Sequence, residues 1–210
     1  PPGGEIEPFG WCTFIENYAS GFWLGFRLES ETHDIDFIRN TATYNKIGFE
    51  VSYTSNSLFD DNVVTYNSQN GFHLYATTDC IFRGNIVTHH ISHGFYIGSA
   101  DLNEFYGNAI SNNHKGLEFA GYASGNIVHN NDFVDNEWSV VFIQYTVDNW
   151  VYHNNFFGDP IQILYYDNAI FNNYLYNPTL SEGNYWSDYD GTTIPWHFDP
   201  YPFMTINGWL

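Results

Sequence analysis

The chain has 210 residues, 43% of them hydrophobic and 20% aromatic, which suits a single folded domain with a sizeable core and excludes a disordered chain. Twenty-four acidic residues against five basic ones give a net charge of −19, which repels nucleic acid and anionic lipid, and polyuronates too unless calcium intervenes. No run of 18 apolar residues is present that would insert in a membrane as a helix.

Residues 1–24 begin PPGG, as a mature, processed product would, and contain no full copy of the pattern that follows. They read as an N-terminal cap or assembly segment. Cys12 and Cys80 have no metal-site spacing and allow one disulfide, within or between chains. The acidic, aromatic, lysine-poor composition points to an extracellular or cell-surface location.

From residue 25 a four-residue unit recurs: GFRL at 25–28, GFEV at 48–51, GFHL at 71–74, GFYI at 94–97, GLEF at 116–119 and SVVF at 139–142, in steps of 22 or 23. Asn40, Asn62, Asn85, Asn108, Asn131 and Asn154 keep the same period, a series that ends at Asn172. Five residues after each comes a further polar residue: Asn45, Asn67, His90, Asn113, Asn136, Asp159 and Asn177. Phe37, Phe59, Phe82, Phe105, Val128 and Val151 form a fourth series. Within each unit apolar and polar residues alternate, the mark of a short strand with one face in and one face out. Three such strands fit one repeat, which predicts an all-β fold: a right-handed parallel β-helix of about seven coils over residues 25–180. Coils at strand spacing make a rod of roughly 34 Å. Phe49, Phe72 and Phe95 should then stack in its interior, and the asparagines should bond from coil to coil at the bends, where they and the recurring glycine tolerate a left-handed backbone.

The pattern breaks again over 181–210, read as a C-terminal cap or assembly segment. Trp11, Trp23, Trp186, Trp196 and Trp209 all lie in the two end segments. The NxxxxN–xxx–GFxL rhythm resembles the parallel β-helix repeats of the nitrous-oxide-reductase accessory (NosD-like) family and of carbohydrate-binding and sugar-hydrolase (CASH) domains. GNYWSDYDG at 183–191, followed by DPYPFM at 199–204, looks like the tail of archaeal secreted and surface proteins of this type. The resemblance implies a secreted β-helix. Its relatives often carry a calcium-loop-like stretch after the YWSDY segment, where this chain has TTIPWHF.

Three groups of residues are candidates for chemistry. His90 and His93, with His114 from the next coil, are the residue type that holds copper or zinc, although His90 stands where neighbouring repeats have Asn67 and Asn113. Among the carboxylates, Asp60 and Asp61 face Arg83 and Arg39 one repeat away, and Glu50 faces Arg27, so these read as cross-coil ion pairs. Glu118 lies three coils from Glu50, roughly 14 Å at strand spacing, too far to act as a pair. Exposed rings are the third group: Tyr66, Tyr75, Tyr96, Tyr106 and Tyr152 fall on outward positions, where with the end tryptophans they offer a carbohydrate-binding or self-association surface.

The leading expectation is a non-catalytic extracellular structural protein that assembles into a filament, tube or sheath. The alternatives are a carbohydrate-binding or polysaccharide-processing β-helix and a copper-binding accessory protein. The expected partners are copies of itself and glycans, with no nucleic acid and no membrane insertion.

Overall fold

The computed structural model describes residues 10–143, 145–166, 173–177, 179–180 and 182–187. Among them every regular element is a strand, and the strands form three parallel sheets. Sheet A stacks Gly10–Ile15, Thr32–Ile38, Leu58–Asp60, Ile81–Arg83, Glu104–Tyr106, Ile127–His129 and Trp150–Tyr152. Sheet B runs from Tyr18–Ser20 to Tyr185–Trp186, and sheet C from Leu24–Leu28 to Ile161–Tyr165. The chain visits A, B and C in turn, so each coil is a triangle of three strands, wound right-handed as parallel crossovers are.

The expected register holds. Phe49 pairs with Phe72 and Phe72 with Phe95. Their rings stack at 4.8 and 4.7 Å, and all three are buried. Phe59, Phe82 and Phe105 stack beside them at 4.6 and 4.9 Å, and the two columns meet edge to face, as at Phe49 and Phe59. Burying each ring contributes roughly 1.5–3 kcal/mol, and the offset geometry adds to it.

The corners are hydrogen-bonded ladders. Asn108 shows the pattern: its backbone N–H and its Nδ2 both donate to Asn131 Oδ1 at 2.9 Å, and Nδ2 also donates to Phe82 O at 2.9 Å. Its own Oδ1 accepts from Asn85, so a fully buried amide has no unmet polar atom. This ladder is longer than its sequence series. It starts at Asn17, which donates to Asn40 Oδ1, and it ends at Asn184, which accepts from Asn154; Asn172 lies outside the described residues.

Two expectations about backbone are corrected. The left-handed residue at each corner is the one before the ladder asparagine: Arg39, Asp61, Asn130 and His153 all have positive φ, and the ladder asparagines do not. The recurring glycine is also not left-handed. A Cβ on Gly71 would sit 2.6 Å from His90 Nε2 and 2.7 Å from Gly94 O, so glycine stands there to let the ladder approach the strand.

The cap boundaries change as well. Gly10–Ile15 already pairs with Thr32–Ile38 in coil register, so the described part of segment 1–24 is itself a coil. At the other end, Trp186 was expected on an assembly surface. It is instead buried, stacked 4.5 Å from Phe156, because residues 184–186 re-enter the register that Asn154–Phe156 left. The two cysteines are not bridged to each other within the chain: Cys12 is exposed and Cys80 is fully buried in a corner.

Candidate acid–base face and aromatic corner

Alternation within sheet C turns the residue between the two buried apolar positions outward. Register then lines up Arg27, Glu50, His73, Tyr96 and Glu118 in five successive coils. Arg27 was expected to pair with Glu50, but it turns along its own strand to Glu29. Glu50 is left to His73, whose Nδ1 lies 2.8 Å from Glu50 Oε2. With the proton on Nδ1 and the carboxylate accepting it, Nε2 of His73 is the free basic nitrogen.

Tyr96 follows one coil on, its ring 5.0 Å from that of His73 and 5.3 Å from that of His93. The ring lies across Gly98, where a Cβ would come within 2.9 Å of Tyr96 Cε1. Burial raises the Tyr96 phenol, and the charge of Glu118 raises it further. Glu118 is buried and bonded to Lys115, and His93 Nε2 stands 3.4 Å from its carboxylate without hydrogen-bond alignment. Burial alone would lift the Glu118 carboxyl, but His93 and Lys115 outweigh it and hold it below the ordinary glutamate value. A phenol, two imidazoles, an ammonium and two carboxylates thus share one face.

The three candidate histidines do not come together. His90 is a buried rung of the second ladder: its Nδ1 accepts the Asn67 N–H at 3.1 Å, so Nε2–H donates to Val64 O at 3.1 Å. Burial pushes it down to about 4, which keeps it neutral. His93 faces Glu118, while His114 pairs with Glu137 at 2.8 Å and packs on Trp138. Of the carboxylate pairs, Asp60 does hold Arg83, at 2.7 Å, but Arg39 turns to Glu16 instead.

The exposed rings sort by place. Tyr152 is half-buried between His129 and His153. Trp11 is exposed on sheet A in the first coil; Trp196 and Trp209 lie outside the described residues. Tyr66 belongs to the corner between sheets B and C, stacked between Tyr44 at 5.4 Å and His89 at 4.6 Å. All three are left-handed, with φ of 55°, 54° and 61°. That conformation costs a residue with a Cβ roughly 1–2 kcal/mol. Trp23, 69% exposed, stands on the other side of the corner with Lys46 Nζ 3.4 Å over its ring.

One feature escaped the sequence reading altogether. A third ladder joins Ser57, Cys80, Asn103, Asn126, Asn149 and Asn173, as in the Cys80 N–H to Asn103 Oδ1 bond of 3.0 Å. The signal was the 23-residue spacing of Asn103, Asn126 and Asn149.

The chain resembles solved structures of the same shape. The A-module of the Azotobacter vinelandii mannuronan C-5 epimerase AlgE4 matches with a TM-score of 0.67 at 17% identity, covering 75% of this chain and 53% of that one. The A-module of AlgE6 from the same organism matches with a TM-score of 0.57 at 14% identity, covering 77% and 56%. The chain therefore spans about half the length of these relatives, and the likeness is one of fold. A search of curated proteins found no match. The family described as "Periplasmic copper-binding protein (NosD)" matches residues 13–191, most of the coiled region and both ladder ends, and the chain belongs to that family.

Proposed function

We propose that this protein is an exported β-helix that acts on an acidic glycan laid along sheet C, moving a proton at the carbon beside a uronate carboxylate. The observation that carries the reading is the Glu50–His73–Tyr96 row. Glu50 orients His73, leaving Nε2 as the base, and Tyr96 is a second proton carrier one coil away. His73 takes the proton from C5. If Tyr96 returns a proton to the opposite face of C5, the sugar is inverted. If Tyr96 protonates the glycosidic oxygen on C4 instead, the C5–H electron pair becomes a C4=C5 double bond and the C4–O bond breaks. Lys115 places positive charge beside the row, where charge develops on the substrate carboxylate. A net charge of −19 opposes an acidic glycan over most of the surface, and Lys115 is the cation this row sets against it. The mannuronan C-5 epimerase modules that share the fold are named for chemistry of this class.

The test is incubation of the purified chain with alginate, pectate and glucuronan, followed by proton NMR for inverted residues and ultraviolet absorbance for the unsaturated product. Conversion that is lost in His73→Gln and Tyr96→Phe supports the reading. No change in any of the three polymers by either readout overturns it.

The family description names copper, and the residues present do not fit it. His90 has both ring nitrogens bonded inside the wall, and Cys80 is buried. Among the described residues no three His, Cys, Asp or Glu side chains gather to hold an ion. The donor set is that of a structural ladder plus separate ion pairs.

A second reading, a non-catalytic surface protein that assembles end to end, is favoured by the first coil, where Trp11, Tyr18 and Phe22 are 86%, 69% and 60% exposed. Light scattering across a concentration series and negative-stain microscopy decide it, since a monomer under all conditions excludes assembly.

A further inference from the structure

The aromatic corner lies on a different face from the sheet C row. The left-handed corner position is occupied in successive coils by Gly21, Tyr44, Tyr66, His89, Asn112, Asp135 and Gly158. Glycine and asparagine suit that backbone, and tyrosine is a costly choice. The three rings repeat at coil spacing and each stacks on the next, so the column is continuous from Tyr44 to His89. It then stops. Gly21 stands where the next ring would be, and a Cβ there would meet nothing within 4 Å. Tyr44 is 65% exposed and lines the same cleft as Gly21. Phe22, Trp23, Lys46 and Ser68 line the open cleft beside it, about 530 Å³ in volume. Lys46 lies over one face of the Trp23 ring, and Ser68 sets a neutral polar residue among the aromatic rings of the lining.

We infer that this cleft binds a neutral pyranose ring of a glycan, stacked on Tyr44 in the gap over Gly21 as the missing rung of the column. A sugar ring presents an apolar C–H face to an aromatic ring and hydroxyls to the rim. The strongly acidic surface favours an uncharged sugar over an anionic one. Trp23 closes the second side.

The test is titration of the full chain with neutral oligosaccharides of β-1,4-linked glucose, N-acetylglucosamine and mannose, followed by calorimetry and NMR. Binding of at least one is expected. Tyr44→Ala should weaken it about tenfold or more, the loss of one stacking contact. Gly21→Tyr supplies the missing ring from the protein and should abolish binding while thermal melting falls by only a few degrees, the strain of a left-handed tyrosine at that position. His73→Gln should leave binding unchanged, which separates this site from the one on sheet C. Absence of binding to all three sugars, or binding that survives both Tyr44→Ala and Gly21→Tyr, overturns the inference.

Discussion

Asp159 takes the place that Asn136 holds one coil earlier, and its Oδ1 accepts the Asn136 backbone N–H at 2.5 Å while its Oδ2 accepts from Ser139 Oγ at 2.5 Å. A carboxylate on an amide ladder is a charge where neighbouring coils have none. Burial pushes its carboxyl up to about 6 from 3.8. A raised carboxyl favours folding while protonated, so this contribution is present below pH 4 and is lost as pH rises through about 6. Asp159→Asn restores the ladder residue. We expect it to raise stability at pH 7 by on the order of 2–3 kcal/mol and to gain nothing at pH 4, measured as denaturation midpoints at the two pH values.

His90 makes the opposite case on the same ladder. Its folded-state value of about 4 lies below the ordinary 6.5, so the unfolded chain takes up a proton first and stability falls as pH drops from 6.5 toward 4. His90→Asn matches Asn67 and Asn113 on either side. The variant should lose less stability than the parent between pH 7 and 4, by up to about 3 kcal/mol. An identical acid profile for variant and parent would show that His90 is not held neutral.

How far these rungs were legible in the sequence depends on what each position demands. Phe49, Phe72 and Phe95 were readable because a buried column tolerates few side chains, and its period survives in the letters. Asn40 to Asn154 were readable for the same reason: only an amide donates twice and accepts twice in that geometry. The third ladder was hidden because its first rungs are Ser57 and Cys80, which satisfy fewer bonds and do not look like asparagine. Trp186 was misplaced because 30 residues, not 23, separate Asn184 from Asn154, so the period hides its return to the core. Glu50, His73 and Tyr96 shared a register in the sequence, but their partners depend on side-chain reach. Arg27 can turn toward either Glu29 or Glu50, and no spacing decides between them.

Asn108 sits mid-rod and offers the cleanest measure of a rung. Asn108→Ala removes both side-chain donors and the acceptor, leaving the Asn85 N–H and Phe82 O without that partner in a dry wall, while the backbone N–H of residue 108 still reaches Asn131 Oδ1. At about 1–3 kcal/mol for each buried group left unmet, the loss should be on the order of 3–5 kcal/mol. Urea denaturation gives the number, and a change under about 1 kcal/mol would mean that water replaces the amide.

The two cysteines predict a simple chemical contrast. Cys12 is exposed, whereas burial raises the Cys80 thiol to about 12, and its Sγ lies 3.4 Å from Thr78 O. Iodoacetamide should therefore modify one thiol in the native chain and the second only on unfolding, as read by intact mass. Two fast labels under native conditions would show that the third corner opens at that rung.

Glu50 decides whether the sheet C row is a relay or a set of surface contacts. It does not reach Tyr96; it acts through His73 by fixing which ring nitrogen is free, which makes it a positioning residue. Glu50→Gln keeps the shape of the side chain but removes the carboxylate that stabilises an imidazolium. On the glycan that is converted, kcat should fall by about 10²-fold or more, because general acid–base catalysis by an oriented histidine is worth about that much. KM should stay within a few-fold, since the substrate does not rely on Glu50 for contact. The pH dependence of kcat should move as well, a response that a merely structural role would not produce. Equal losses in kcat and melting temperature, with an unmoved pH profile, would instead reduce the Glu50–His73 pair to a brace between coils.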